Sequence, residues 1–162
     1  MEIEPLAADD FDEALAVINA AAEAYDGAIP PDCYDEPYMD RETLAGEYEE
    51  MRMAGAWLDD RLVGVVGIQD VGDVSLVRHL YVHPDVQRRG IGSRLLAEAL
   101  DGAGSATVLV GTWRDATWAV AFYRKHGFEN LGTDRGLLDR YWEIPDRQAE
   151  ASIVLRTELD GD

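Results

Sequence analysis

The run Gln87-Arg88-Arg89-Gly90-Ile91-Gly92-Ser93 constrains this chain more than any other stretch. An apolar strand-like segment over 76–82 leads into it and an apolar helix-like segment over 95–100 leads out. A strand, a basic glycine loop and a helix start, in that order, form a site for a phosphate chain. Glycines let the backbone approach a ligand closely and take up conformations that other residues avoid. The first turn of a helix carries N–H groups without an intrahelical partner, and the helix dipole adds partial positive charge there. An anion is the natural occupant, and Arg88 and Arg89 add full charges beside it. The loop is not a P-loop, because no Gly-Lys-Ser/Thr follows. Nor is it a dinucleotide fingerprint, because Leu95 stands where the third glycine would be.

A second motif lies downstream, Trp118-Ala119-Val120-Ala121-Phe122-Tyr123-Arg124-Lys125-His126-Gly127-Phe128. It reads as a helix closed by Gly127 in the left-handed position, with Phe128 folding back on the last turn. Together the two motifs resemble the GNAT N-acetyltransferase superfamily: the first its acetyl-CoA loop, the second its Ala-x-x-Phe-Tyr-x-Lys-x-Gly-Phe segment. The resemblance runs from the first strand to Leu159. It implies cofactor contacts from Leu80, Tyr81, Val82, Gln87, Arg88, Arg89, Gly90, Ile91, Gly92, Ser93, Trp118 and Tyr123, with acetyl-CoA as co-substrate and no metal. It also implies a backbone oxyanion donor near Tyr81 and Val82, and Tyr123 as the acid that protonates the leaving thiolate. A phenol suits that task because its ordinary pKa, near ~10, keeps it protonated at neutral pH.

Two positions depart from the family's pattern. Ala116 stands where many relatives carry a cofactor-binding asparagine, leaving Thr117 or Trp118 as replacements. Leu76 occupies a common position for a base glutamate. His79 is the obvious substitute, since imidazole titrates near working pH. Asp70, Asp73 and Glu36 are further candidates, as is deprotonation through water. Strict alternation along the strand puts Val74, Leu76, Arg78, Leu80 and Val82 on one face and Ser75, Val77, His79 and Tyr81 on the other.

The remaining pattern is that of an α/β domain. Strands are expected over 3–6, 56–58, 62–68, 73–82, 107–112, 129–132 and 153–158. The helices expected are one capped by Asp9 or Asp10, with Glu13 completing a capping box, one from about Arg41 with Leu44, Tyr48 and Met51 on a stripe, one containing 95–100, and one over 116–126. The expectation is a GNAT fold, a mixed sheet of about seven strands flanked by about four helices, as one domain over 1–162. The connection 134–148 is unusually long. Its Leu137, Leu138, Tyr141 and Trp142 form either a packed satellite cluster or a flap.

Composition bounds the partners. With 33 acidic and 14 basic residues the formal charge is −19, and Lys125 is the only lysine. That balance resembles the cytosolic proteins of salt-accumulating halophiles, where a Debye length of ~3 Å at molar salt screens the self-repulsion of an acidic shell. Nucleic acid and anionic membrane are poor partners for it. No apolar run approaches the ~18 residues of a membrane span. The start, Met1-Glu2-Ile3-Glu4, lacks the features of a signal peptide, and Cys33 is the only cysteine. A cytoplasmic protein is expected, and the family resemblance implies a possible homodimer. For the amine acceptor the candidates are Tyr34 and Glu36 in the loop over 25–39, with Trp113 and Trp142; Arg78 and Arg114 are candidates for gripping a carboxylated acyl donor. A non-catalytic acyl-CoA sensor and a transferase using another acyl donor are the alternatives.

Overall fold

The computed structural model describes residues 1–25, 27–33 and 37–159. Along the chain come β1 (Glu2–Pro5), α1 (Phe11–Ala22), α2 (Arg41–Glu50), β2 (Arg52–Leu58), β3 (Arg61–Val71), β4 (Val74–Val82), α3 (Ile91–Asp101), β5 (Thr107–Trp113), α4 (Thr117–Lys125), β6 (Glu129–Asn130), α5 (Arg135–Tyr141), α6 (Asp146–Glu150) and β7 (Ser152–Glu158). The strands form one seven-stranded sheet in the order β1-β2-β3-β4-β5-β7-β6. Only β4 and β5 run parallel, so the sheet is mixed as expected. No helix of the described residues is long and apolar enough to cross a membrane.

Among the described residues six α-helices stand where about four were expected. Of the extra pair, α5 folds within the 134–148 connection and α6 begins in it and runs on to Glu150. Both are too short for an apolar repeat to show. The Asp134 side chain starts α5 by accepting the Leu137 N–H at 3.0 Å. Asp10 also caps differently from the expected box, accepting the Ala7 N–H at 2.8 Å rather than bonding forward into α1.

Asp59 and Asp60, both with positive φ, make the two-residue turn between β2 and β3. Strand β3 is covered on both faces. Val66 and Ile68 pack with Val77, Leu95, Leu96, Val108 and Val110 under α3 and α4. Val65 packs with Val17, Ile18, Leu44 and Met53 under α1 and α2. A Cβ on Gly67 would stand 2.5 Å from the Met51 sulfur, so the Met51 side chain packs directly on the strand backbone there. The 134–148 connection packs on the α1/α2 face, where Leu138 is buried with Val74, Leu76, Leu109 and Val154.

Two irregularities in β4 shape everything that follows. It pairs with β5 only at Ser75–Val108, Leu76–Leu109 and Val77–Val110. Beyond these pairs β4 continues along β3 and β5 along β7, and a wedge opens between them. In the same place the β3–β4 register slips: Gly67 faces Arg78, but Val65 faces Tyr81. His79 and Leu80 together oppose Val66, a β-bulge, with His79 at φ +53°. The bulge overturns strict alternation. Leu80 and Val82 join Val77 on the α3 face, and Tyr81 joins Arg78 on the α2 face.

Candidate active site

The segment after β4 builds the first half of the site. His83 N–H donates to Val63 O at 2.7 Å. In an antiparallel ladder the neighbouring residue then points its peptide groups the other way, so Val82 directs its N–H and C=O into the wedge. Its carbonyl accepts the Gln87 amide at 3.3 Å. Arg88 (φ +67°) and Gly90 (φ +78°) curl the loop, and Gly90 stands as N-cap of α3. No atom lies within 4 Å of a Cβ placed on Gly90, so its role is conformational freedom rather than room. The first intrahelical bond is Arg94 N–H to Gly90 O, at 3.2 Å. The N–H groups of Ile91, Gly92 and Ser93 precede it and have no helical acceptor. The Ser93 hydroxyl and His126 Nε2 meet at 2.9 Å, clamping this turn to the end of α4.

A cavity of about 450 Å³ lies over this loop. Leu80, Tyr81, Val82, Gln87 and Arg88 line it, as do Gly90, Ile91, Gly92, Ser93, Trp118 and Tyr123. These are the predicted cofactor residues apart from Arg89, which is exposed on the loop and does not line the cavity. Ala24, Phe122 and Lys125 line it without having been anticipated. Of the two candidate replacements for the asparagine, Trp118 lines the cavity and Thr117 does not, while Ala116 itself is fully buried. The charges fit an anion. Arg41, Arg52, Arg61, Arg78, Arg135, Arg147 and Arg156 each hold a carboxylate. Among the described residues Arg88, Arg89 and Arg94 hold none, nor do Arg114, Arg124, Lys125 and Arg140; Lys125 lines the same cavity, so the loop carries uncompensated positive charge in an acidic chain.

On the other side of the wedge is a second cavity, of about 340 Å³. His79, Trp113 and Trp142 line it, with Tyr38 of the 25–39 loop, and so do Glu47 and Glu143, which the sequence had not singled out. Tyr34 and Glu36 lie outside the described residues. Asn19 brackets Met39, accepting its N–H at 2.8 Å and donating to its carbonyl at 3.0 Å, and thereby anchors the segment that carries Tyr38 to α1. Trp142 packs across Gly111 of β5, 3.4 Å from where a Cβ would be. Of the two readings of the 134–148 connection the packed cluster holds, and the same segment walls this cavity.

The two cavities share Tyr25, Leu80, Tyr81 and Tyr123. Tyr123 is 7% exposed. Burial, and then the neighbouring Tyr25, push its hydroxyl well above the ordinary phenol range. Burial, then Tyr38 and Tyr25, raise the Tyr81 hydroxyl as well. Tyr25 is pushed up to about 12 by burial and Tyr38, against a hydrogen bond from the Trp118 indole. Its ring lies 6.1 Å from that of Tyr81 and 5.2 Å from that of Trp118. At neutral pH these three phenols are therefore protonated donors gathered at one junction.

Glu47 ties the bulge to α2. It accepts from Arg78 at 2.9 Å and meets His79 Nε2 at 2.5 Å. Burial pushes the Glu47 carboxyl up, but the hydrogen bonds and charges of His79 and Arg78 outweigh it and leave the group below the ordinary carboxylate range. The only sequence signal for Glu47 was its place three residues after Leu44, beside the stripe that α2 buries. Arg78 is held by Glu47 and by Gln69 at 3.0 Å, so it is not available to grip a donor carboxylate. Arg114 is exposed and lines neither cavity. Asp70 is bound by Ser75, Gly104 and Arg52, and Asp73 by Tyr141; neither reaches a cavity, which removes both as bases. His83 shapes the loop, its Nδ1 accepting the Asp85 N–H at 3.2 Å.

Residues 49–130 match the family model described as an acetyltransferase (GNAT) domain. The N-alpha-acetyltransferase RimI of Mycobacterium tuberculosis is 37% identical over 94 residues, covering 56% of this chain and 57% of that protein. The mycothiol acetyltransferase of a Nocardioides species is 34% identical over 124 residues, 75% of this chain and 37% of that protein. The chain thus spans well under two thirds of either relative's length. Among solved structures, the PaiA N-acetyltransferase of Thermoplasma acidophilum in complex with coenzyme A superposes with a TM-score of 0.69 at 19% identity, over 98% of this chain and 99% of that one.

Proposed function

The chain belongs to the GNAT acetyltransferase family, and on that premise we propose that it moves an acetyl group from acetyl-CoA directly to a primary amine of a small molecule or protein. The observation that carries this reading is the junction itself. A loop suited to phosphate and a cavity fit for an amine meet at a buried, protonated phenol, Tyr123. A module that only stored acyl-CoA would need no second cavity at that point.

Acetyl-CoA supplies the activated acyl carbon when bound; the chain's residues do the rest. Arg88, the glycine loop and the free N–H groups of α3 hold the phosphates. The exposed edge of β4 past Val77 offers peptide groups to the pantetheine arm as a neighbouring strand would. The Val82 N–H points into the wedge, where it would stabilise charge on the thioester oxygen. Such a donor is typically worth ~3 kcal/mol of barrier. On the acceptor side His79 takes the ammonium proton, so that the amine attacks neutral. The carbon–nitrogen bond forms as the carbon–sulfur bond breaks. Tyr123 gives its proton to the departing sulfur and is reprotonated by the hydrogen lost from nitrogen.

The relatives are named for acetylating an α-amine and mycothiol, so the acceptor screen should hold both an alanine-initiated peptide and small amines. Calorimetric titration of acetyl-CoA, followed by thiol release against that screen, tests the reading. Binding that is lost in Arg88→Glu, together with amine-dependent thiol release, supports it. Absence of acetyl-CoA binding at both low and molar KCl overturns it.

A further inference from the structure

We infer that Glu47 is a positioning residue for His79, the two forming a carboxylate–imidazole pair that accepts the proton of the acceptor amine. The inference rests on the reading of His79 as the base, and extends it to a residue on a different element that no motif marks.

Three observations converge on it. His79 occupies a left-handed conformation at φ +53° in the bulge. Glycine would fill such a position without strain, so an imidazole held there points to a use for the ring. Its side chain is only 11% exposed, Glu47 is 20% exposed, and both line the acceptor cavity. The partners of Glu47 hold it rigid: Arg78 takes its other oxygen and is itself fixed by Gln69.

The chemistry follows from donor and acceptor rules. An ionised carboxylate only accepts, so His79 Nε2 carries the hydrogen in the 2.5 Å contact. The neutral ring then has its lone pair on Nδ1, for which the described residues provide no hydrogen-bond partner. Proton transfer runs from the ammonium nitrogen to Nδ1, giving an imidazolium paired with the Glu47 carboxylate. That proton later leaves to solvent. The same logic governs the aspartate of a serine protease triad, which fixes tautomer and orientation without itself being protonated. Stacking of His79 on Tyr81, with centroids 6.5 Å apart, holds the ring plane beside the junction with Tyr123.

The test has one arm that needs no acceptor. Long-range proton–nitrogen correlation spectra of the full chain report the tautomer of each histidine. His79 is expected as the Nε2–H form in the native protein and in Glu47→Gln, and as a mixture in Glu47→Ala. An identical His79 pattern in native protein and Glu47→Ala overturns the inference. The second arm is kinetic, with the alanine-initiated peptide as probe. Glu47→Ala is expected to lower kcat about 100-fold, the low end of a general-base contribution, with Glu47→Gln intermediate and acetyl-CoA affinity unchanged in both. The double variant Glu47→Ala/His79→Ala is expected to be no slower than His79→Ala alone. Multiplicative losses, or a rise in the KM for the amine at constant kcat, would make Glu47 an independent acceptor-binding group and overturn the pair. If the native protein releases no thiol with any amine, the acetyl-transfer reading falls, and the spectra alone decide the pairing.

Discussion

Removing one oxygen atom, Tyr123→Phe, separates chemistry from architecture. The ring of Tyr123 packs edge-on to Phe122 and Phe128, with centroids 5.3 and 5.5 Å away, and a phenylalanine keeps both contacts. The hydroxyl makes no hydrogen bond to another described residue, and it faces the junction of the two cavities. Deleting it leaves no donor or acceptor stranded, so the stability change should stay within about 0.5 kcal/mol, or roughly 2 °C in Tm for a chain of this size. The acetyl-CoA Kd should hold within about threefold. Turnover should not. Loss of a positioned acid costs about 10²- to 10⁴-fold, which at 1.36 kcal/mol per decade is roughly 2.7 to 5.4 kcal/mol of barrier. Thiol release measured beside thermal melting and calorimetry reads all three quantities on one preparation. Unchanged turnover would remove Tyr123 from the mechanism. A Tm falling in step with activity would show that the hydroxyl is structural after all.

Further tests use other parts of the structure. Arg88→Glu reverses charge on the lining of the loop and should abolish calorimetric acetyl-CoA binding, whereas Arg89→Glu, on the outer side, should weaken it less; the reverse order would refute the placement. Because CoA is an anion approaching a chain of −19, the KM for acetyl-CoA should fall between low and molar KCl; a steady rise would refute the screening argument and weaken the salt-adaptation reading of the composition. Tyr25, Tyr81 and Tyr123 all have raised folded values, so above the unfolded phenol value near 10 the native state binds more protons than the unfolded one. The stability they contribute is complete below pH 10 and is lost as pH rises beyond it, an expectation checked by chemical denaturation across pH 9–12. Asp70 is held below its ordinary value, first by the Ser75 hydroxyl. Its contribution is present above the ordinary carboxylate range and disappears as pH falls, so Ser75→Ala should move the acid unfolding midpoint to higher pH.

What the sequence made legible was whatever has its cause in local chemistry. Gly127 announces a left-handed position after a helix, and the break between the apolar runs 56–58 and 62–68 announces a tight turn, made by Asp59 and Asp60. The glycine loop and the helix carrying Tyr123 were legible for the same reason, since a loop with its helix start and a helix with its glycine stop are short-range constructions. The other half of the site was hidden because its cause is long-range. Glu47 lies 32 positions from His79, on a helix whose only visible stripe was apolar. Tyr25 ends a single 3-10 turn after α1, too short for spacing to carry information about direction. The bulge was invisible for a sharper reason: a histidine at positive φ leaves no trace in an alternation of apolar and polar residues, and one extra residue is enough to reverse every face beyond it.

That single extra residue couples several features that would otherwise need separate causes. Without it Leu80 and Val82 would face α2, and the cavity over the glycine loop would lose the lining they give it. Tyr81 would leave the junction it shares with Tyr25 and Tyr123. The register of β4 against β3 would run unbroken, with His79 in an ordinary extended conformation and its ring directed away from Glu47. The bulge also coincides with the end of β4–β5 pairing at Val77–Val110, where the wedge begins. Strain at one backbone position is therefore tied to the wedge, to the partition of the two cavities and to the orientation of the imidazole. A His79→Gly substitution should relieve the strain and keep the bulge, so it should preserve acetyl-CoA affinity while losing turnover. Loss of acetyl-CoA binding in that variant would mean that the ring, and not the backbone, holds the wedge open.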